Sequence, residues 1–86
     1  MQDTERTERI KKMEEYFDEL LEVLDKGPDA LAEKTEILHA LREYYEGGLW
    51  LSDYEADERG EILPELKRGV LSEDGVYNLL CELENM

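Results

Sequence analysis

A chain of 86 residues has room for one hydrophobic core, so we predict a single acidic helical domain over residues 1–86. Its 24 acidic and 10 basic residues give a formal net charge of −14, which disfavours direct binding to nucleic acid or to an anionic membrane surface. The composition also excludes an intrachain disulfide, because Cys81 is the only cysteine.

The first predicted element is an amphipathic helix over residues 3–25, with Asp3 or Thr4 as its N-cap. An apolar stripe recurs at helical spacing and consists of Ile10, Met13, Phe17, Leu20, Leu21 and Leu24. The opposite half of the helix carries carboxylates without a base among them, and these are Glu14, Glu15, Asp18, Glu19, Glu22 and Asp25. We therefore expect this half of the helix to face water.

A second helix is predicted over residues 28–46, because Gly27 suits the end of the first helix and Pro28 suits the start of the next. The link is short, which favours an antiparallel helical hairpin. The apolar residues of this helix are Leu31, Ile37, Leu38, Leu41, Tyr44 and Tyr45. Lys34 interrupts that stripe and is expected to extend its ammonium group to water. The Gly47-Gly48 pair ends the helix.

The second half of the chain predicts shorter helices. Ser52 and Glu55 match a capping box, which predicts a helix over residues 53–59 that ends at Gly60. Its neighbouring apolar side chains are expected to close the open end of the hairpin, and these are Leu49, Trp50, Leu51 and Tyr54. Pro64 is expected to begin one more helical turn.

Ser72 is the predicted cap of a last helix over residues 72–84. The fold class is therefore all-α: an antiparallel hairpin (about 3–25 and 28–46) sealed by a short helix (53–59) and a C-terminal helix (72–84). If the last helix leaves one apolar face of the hairpin open, two copies are expected to pair as a four-helix bundle, which would make the protein a homodimer.

Two blocks of the sequence resemble a known family. Residues 50–58 read WLSDYEADE, and residues 63–74 read LPELKRGVLSED. Together with the acidic helical pair before them, they look like the family of small bacterial proteins filed as domain of unknown function 4298. The resemblance implies a bacterial setting. It implies no activity and no catalytic residue.

Metal sites are not predicted. Asp53, Glu55 and Asp57 match the first ligand positions of a calcium loop, but the turn glycine is replaced by Glu58 and the bidentate glutamate by Pro64. Glu36 and His39 have the E-x-x-H spacing of di-iron bundles but lie off the apolar stripe.

Catalysis is not predicted either. Cys81 and His39 are the only nucleophile and base that could pair, and the acids beside Cys81 would raise the pKa of its thiol. We find no phosphate-binding loop and no dinucleotide fingerprint. We therefore expect a protein that is not an enzyme and has no catalytic, cofactor-binding or metal-binding residues.

Residues 1–25 contain no apolar segment typical of a signal peptide, and no apolar run approaches the ~20 residues of a membrane span. We expect a cytoplasmic protein with no membrane contact.

The remaining hypothesis is a protein-interaction module that presents an acidic helix face to a protein partner with a basic surface. The candidate partner-binding residues are Glu14, Glu15, Asp18, Glu19, Glu22, Asp25, Asp53, Asp57, Glu58 and Tyr77. The alternative hypothesis is a nucleic-acid mimic, in which the carboxylates stand in for phosphates and inhibit a DNA- or RNA-binding protein. A phage-encoded inhibitor of a bacterial defence nuclease is one example of such a mimic.

Overall fold

The computed structural model describes residues 4–62, 64–67, 69–72 and 74–85, and all regular structure within these ranges is helical. The helices are α1 (Thr4–Lys26), α2 (Pro28–Glu33), α3 (Thr35–Glu46), α4 (Leu49–Glu58) and α5 (Gly75–Glu84). A short 3₁₀ turn (Gly69–Leu71) lies between α4 and α5. The predicted all-α fold is confirmed.

Helix α1 follows the predicted range, although Asp3, one of its two predicted caps, lies outside the described residues. Gly27 ends the helix with a positive φ of 99° and a ψ of −176°, a combination that favours glycine, and its N–H donates to the Val23 carbonyl oxygen at 2.9 Å. The predicted apolar stripe is partly wrong. Leu21 is 41% exposed, whereas Val23 is buried, because the helix is rotated relative to the predicted stripe.

The second arm of the hairpin is not one helix over residues 28–46. It breaks at Lys34, which has φ −116° and ψ 21° and donates its N–H to the Leu31 carbonyl oxygen at 2.9 Å. The break separates α2 from α3, and both helices contact α1. The bend therefore allows two short helices to follow α1, where a straight helix was predicted.

Helix α4 starts four residues earlier than the capping box predicted. Gly47 donates its N–H to the Glu43 carbonyl oxygen at 2.8 Å, and Gly48 reverses the chain in a left-handed conformation (φ 96°). This reversal lets α4 begin directly at Leu49, so that Ser52 lies inside the helix and is not its cap. Gly60 follows the helix end with φ 76°, in the predicted place.

Two predictions between α4 and α5 are wrong. Residues 64–67 form turns and a bend, so Pro64 does not begin a helical turn. Helix α5 begins at Gly75, three residues later than predicted, because the Ser72 hydroxyl donates to the Gly69 carbonyl oxygen at 2.8 Å and closes the 3₁₀ turn. A Cβ at position 75 would collide with the Ser72 hydroxyl and lie 3.2 Å from the Gly69 carbonyl oxygen, so this tight junction favours glycine.

The core lies along the buried side of α1, and this helix contacts α2, α3, the 3₁₀ turn and α5. Its buried apolar residues are Ile10, Phe17, Leu20, Val23, Leu41, Tyr44, Trp50, Ala56, Ile62, Val70, Leu71, Val76, Leu79, Leu80 and Leu83. Of the residues predicted to close the hairpin, Trp50 is buried and Tyr54 is half-buried. Leu49 and Leu51 were placed there wrongly, because about half of each side chain is exposed.

Candidate partner-binding surface and two buried carboxylates

Asp53 is fully buried, and its carboxylate ties three helices together. Asp53 lies on α4, and it accepts hydrogen bonds from two arginines of α1. The Arg6 Nε atom is 3.1 Å away, and the Nε and Nη2 atoms of Arg9 are 2.9 and 2.6 Å away. The Tyr44 hydroxyl of α3 donates to the same carboxylate at 2.7 Å.

This arrangement explains how a carboxylate can lie in the interior. A buried charge is costly unless opposite charge and hydrogen bonds compensate it. The side chains of Arg6 and Arg9 remain 20% and 23% exposed, so their guanidinium groups keep some contact with water while they compensate Asp53. The cluster therefore joins the start of α1 to α4 across more than forty residues of sequence.

Burial raises the pKa of the Tyr44 phenol far above its usual value, and the hydrogen bond and negative charge of Asp53 raise it further. The charges of Arg9 and Arg6 oppose this effect and are smaller. Tyr44 therefore stays protonated in the folded protein, and its hydroxyl donates a hydrogen bond to Asp53.

This raised pKa predicts a loss of stability in alkali. An unfolded tyrosine ionises near pH ~10, whereas folded Tyr44 does not, so the unfolded state loses a proton first. The free energy of unfolding is expected to fall from about pH 10 upward, by up to about 1.4 kcal/mol per pH unit from this residue. Urea unfolding of wild type and Tyr44→Phe between neutral pH and pH ~11 measures it.

Other ionising groups are common to both proteins, so the difference between the two slopes reports Tyr44. The variant should be less stable at neutral pH and should have the shallower alkaline slope. Equal slopes would show that Tyr44 ionises as readily in the folded protein as in the unfolded chain.

Glu14 is the second buried carboxylate, and it holds the 3₁₀ turn against α1. One carboxylate oxygen accepts the Gly69 N–H at 2.7 Å, and the other accepts the Val70 N–H at 3.0 Å. The Trp50 indole N–H donates to the Val70 carbonyl oxygen at 2.8 Å, which adds a tie to α4. A Cβ at position 69 would lie 2.8 Å from a Glu14 oxygen, so glycine allows this close approach without a shift of the Glu14 carboxylate.

These contacts correct two of the predicted partner-binding residues. Glu14 is 7% exposed and Asp53 is 0% exposed, so neither presents its carboxylate to a partner. Both residues were expected to be exposed because they carry a charge, and their position relative to the apolar residues was not considered. Glu14 lies four residues after Ile10 and three before Phe17, so helical spacing already places it on the buried stripe. No comparable local signal marks Asp53.

The other carboxylates of α1 do face solvent along one side of the helix. We call this surface the acidic face and define it by Glu15, Asp18, Glu19, Glu22 and Asp25. Glu19 is half-buried and the other four are exposed.

The sequence of α1 suggested that no base lies among these carboxylates. The fold nevertheless brings lysines close to the acidic face. Lysine ammonium groups lie 3.8 Å from Asp18, 3.5 Å from Glu19 and 3.9 Å from Glu22. They belong to Lys67, Lys34 and Lys26, respectively. Exposed pairs at such distances contribute little stability, so these lysines can move away from their carboxylates at small cost.

The remaining candidates lie elsewhere. Asp57 and Glu58 are on α4, which meets α1 through Arg6 and Arg9, before the acidic face begins. Tyr77 on α5 is 55% exposed, as predicted, and a hydrogen bond with the Cys81 side chain raises the pKa of its phenol. The structure does not join these three residues to the acidic face.

The described residues contain no group of three or more His, Cys, Asp or Glu side chains that could hold a metal ion. No helix in these ranges combines the length and the apolar character that crossing a membrane requires.

A comparison with known protein families identifies a family that matches most of the chain. The model of the family described as Domain of unknown function (DUF4298) matches residues 10–86, which include α1 from Ile10 onward and all the later helices. No curated protein and no solved structure matches the chain.

Proposed function

The chain belongs to the DUF4298 family, and from that premise we propose that it is a non-enzymatic protein-interaction module whose acidic face binds a protein with a basic surface. The observation that carries the proposal is the one-sided distribution of exposed carboxylates from Glu15 to Asp25, which remains after Glu14 and Asp53 have been assigned to the interior.

The buried carboxylates also affect the charge that a partner meets. Arg6 and Arg9 are both engaged by Asp53, so two of the ten basic residues compensate an internal charge. The lysines of the acidic face remain 39–80% exposed on their side chains, and their pairs are long. A partner with a denser set of cations would therefore replace them at low cost.

Long-range attraction supports the same partner class. A net charge of −14 steers basic proteins toward the molecule and accelerates association. Such association weakens as salt screens the charges. We expect binding to be fast and salt-sensitive.

Affinity capture from extracts of the native cells, at low and high salt, tests the proposal. A basic protein retained at low salt would then be purified and titrated against wild type and a triple variant, Glu15→Lys with Glu19→Lys and Glu22→Lys. We expect the triple variant to bind on the order of tenfold more weakly than wild type.

A second triple variant separates the acidic face from bulk charge. Glu33→Lys, Glu36→Lys and Glu46→Lys change exposed residues of α2 and α3 by the same total charge. The proposal requires that this control loses much less affinity. Equal losses in both variants, or no loss in either, would refute it; helical circular dichroism of each variant excludes unfolding as the cause.

Nucleic-acid mimicry is the second candidate function. The acidic face extends over about 15 Å at ~1.5 Å per residue, which gives carboxylates in a row as a mimic requires. Its lysines make that row less like a run of phosphates. Competition decides between the two functions: a mimic prevents the captured protein from binding DNA or RNA, and mimicry is rejected if both bind together.

A further inference from the structure

We infer that an open groove beside the acidic face receives an arginine side chain of the basic partner. The groove has a volume of about 400 Å³ and lies between the middle of α1 and the segment 64–67. The inference rests on the proposed function and adds to it the chemistry of one contact.

The lining of the groove suits a long side chain with a charged end. Apolar atoms, including those of Leu66, form most of its wall, and Glu15, Asp18 and Glu65 also contribute to the lining. Arginine buries its methylene groups on apolar surface and directs its guanidinium toward carboxylates, which it binds through paired hydrogen bonds. Lysine offers a single point charge and fewer hydrogen bonds of fixed geometry.

The groove is also lined by two lysines, and the ammonium group of one of them lies close to a carboxylate. Lys11 and Lys67 both line the groove, and the Lys67 ammonium lies 3.8 Å from an Asp18 oxygen. The Lys67 side chain is 80% exposed, so this pair is weak and is readily exchanged for a better one. The net charge of the protein repels an anion at this place and attracts a cation.

The groove is held in shape by the buried carboxylate of Glu14. Glu14 forms part of the lining and is fixed by the N–H groups of Gly69 and Val70. These bonds position the chain shortly after Leu66 and Lys67 against α1. The partner therefore meets a groove whose back wall is already formed, which lowers the entropy lost on binding.

Titration with peptides tests the inference. The probe is a short peptide in which arginine alternates with alanine, and its counterpart contains lysine in place of arginine. We expect Asp18→Asn with Glu65→Gln to weaken the arginine peptide about fivefold and to abolish the preference for arginine over lysine. Glu33→Gln with Glu36→Gln, which changes exposed residues by the same charge, is the control and should keep the preference.

Lys67→Gln is expected to change the affinity for the arginine peptide in the opposite direction. Removing this lysine should strengthen binding of the arginine peptide about twofold, because the peptide no longer displaces a cation from Asp18. An unchanged or weaker affinity, or a groove variant that behaves like its control, would overturn the inference.

The two proposals fail separately. If reversal of Glu15, Glu19 and Glu22 abolishes capture of the basic partner while the groove variant matches its control, the proposed function stands and only the groove is wrong. If the reversal leaves capture intact, the proposed function fails whatever the peptides show.

Discussion

Replacing Asp53 with alanine is expected to lower the free energy of unfolding by about 3–5 kcal/mol, the cost of breaking a buried ion pair from one side. The variant would leave the guanidinium groups of Arg6 and Arg9 close together without their shared carboxylate. It would also leave the buried Tyr44 hydroxyl without its acceptor. Since small domains have only about 5–15 kcal/mol of stability, this change removes much of it.

Urea unfolding followed by Trp50 fluorescence and by helical circular dichroism measures this loss. Glu55→Ala, on the exposed side of the same helix, is the matched control and should change stability by no more than about 0.5 kcal/mol. If Asp53→Ala does not fold, Asp53→Asn provides a milder test, because the amide keeps one oxygen acceptor. A loss below ~1 kcal/mol in both Asp53 variants would contradict the role given to the cluster.

Replacing Glu14 with glutamine is expected to lower the free energy of unfolding by about 1.5–3 kcal/mol, the range for losing a hydrogen bond to a charged group. The amide can accept only one of the two N–H groups of the 3₁₀ turn, because its NH₂ group is itself a donor. The N–H of Gly69, or the buried N–H of Val70, would then face a donor. The Glu14 substitution is expected to loosen the 3₁₀ turn in particular, whereas the Asp53 substitution affects the contacts among α1, α3 and α4.

Hydrogen exchange provides the local measurement for this variant. The Val70 amide should exchange faster in Glu14→Gln, and by a larger factor than amides in the middle of α3. Urea unfolding gives the accompanying loss of global stability. Glu15→Gln, one residue along α1 and exposed, is the control and should leave both measurements unchanged. Unaltered protection of Val70 would show that Glu14 does not hold the turn.

The helices and their local ends follow from the sequence where neighbouring residues decide them. The helical range of α1, the Gly27-Pro28 junction and Gly60 all depend on residues close in sequence, and each lies where the patterns predicted it. The aromatic residues near the hairpin end also follow, since Tyr44 and Trp50 are buried.

The errors occur where distant contacts decide the local structure. The start of α4 is an exception, because the left-handed Gly48, only four residues before Ser52, lets the helix begin earlier and leaves the capping potential of Ser52 unused. Ser72 bonds to Gly69 within a turn whose position depends on Glu14 and Trp50, which lie far away in sequence. Local patterns contain no information on such pairs. Asp53 was misjudged for the same reason, because it is buried only where Arg6, Arg9 and Tyr44 converge on it.

The footprint of the basic partner on the folded protein is the most direct test of the central claim that the acidic face is the binding surface. It can be mapped by titrating ¹⁵N-labelled protein with the captured partner and following each backbone amide in NMR spectra. The largest shifts are expected along α1 at Glu15, Glu19 and Glu22. Shifts confined to α4 or α5, with the amides of residues 15–25 unchanged, would contradict the claim.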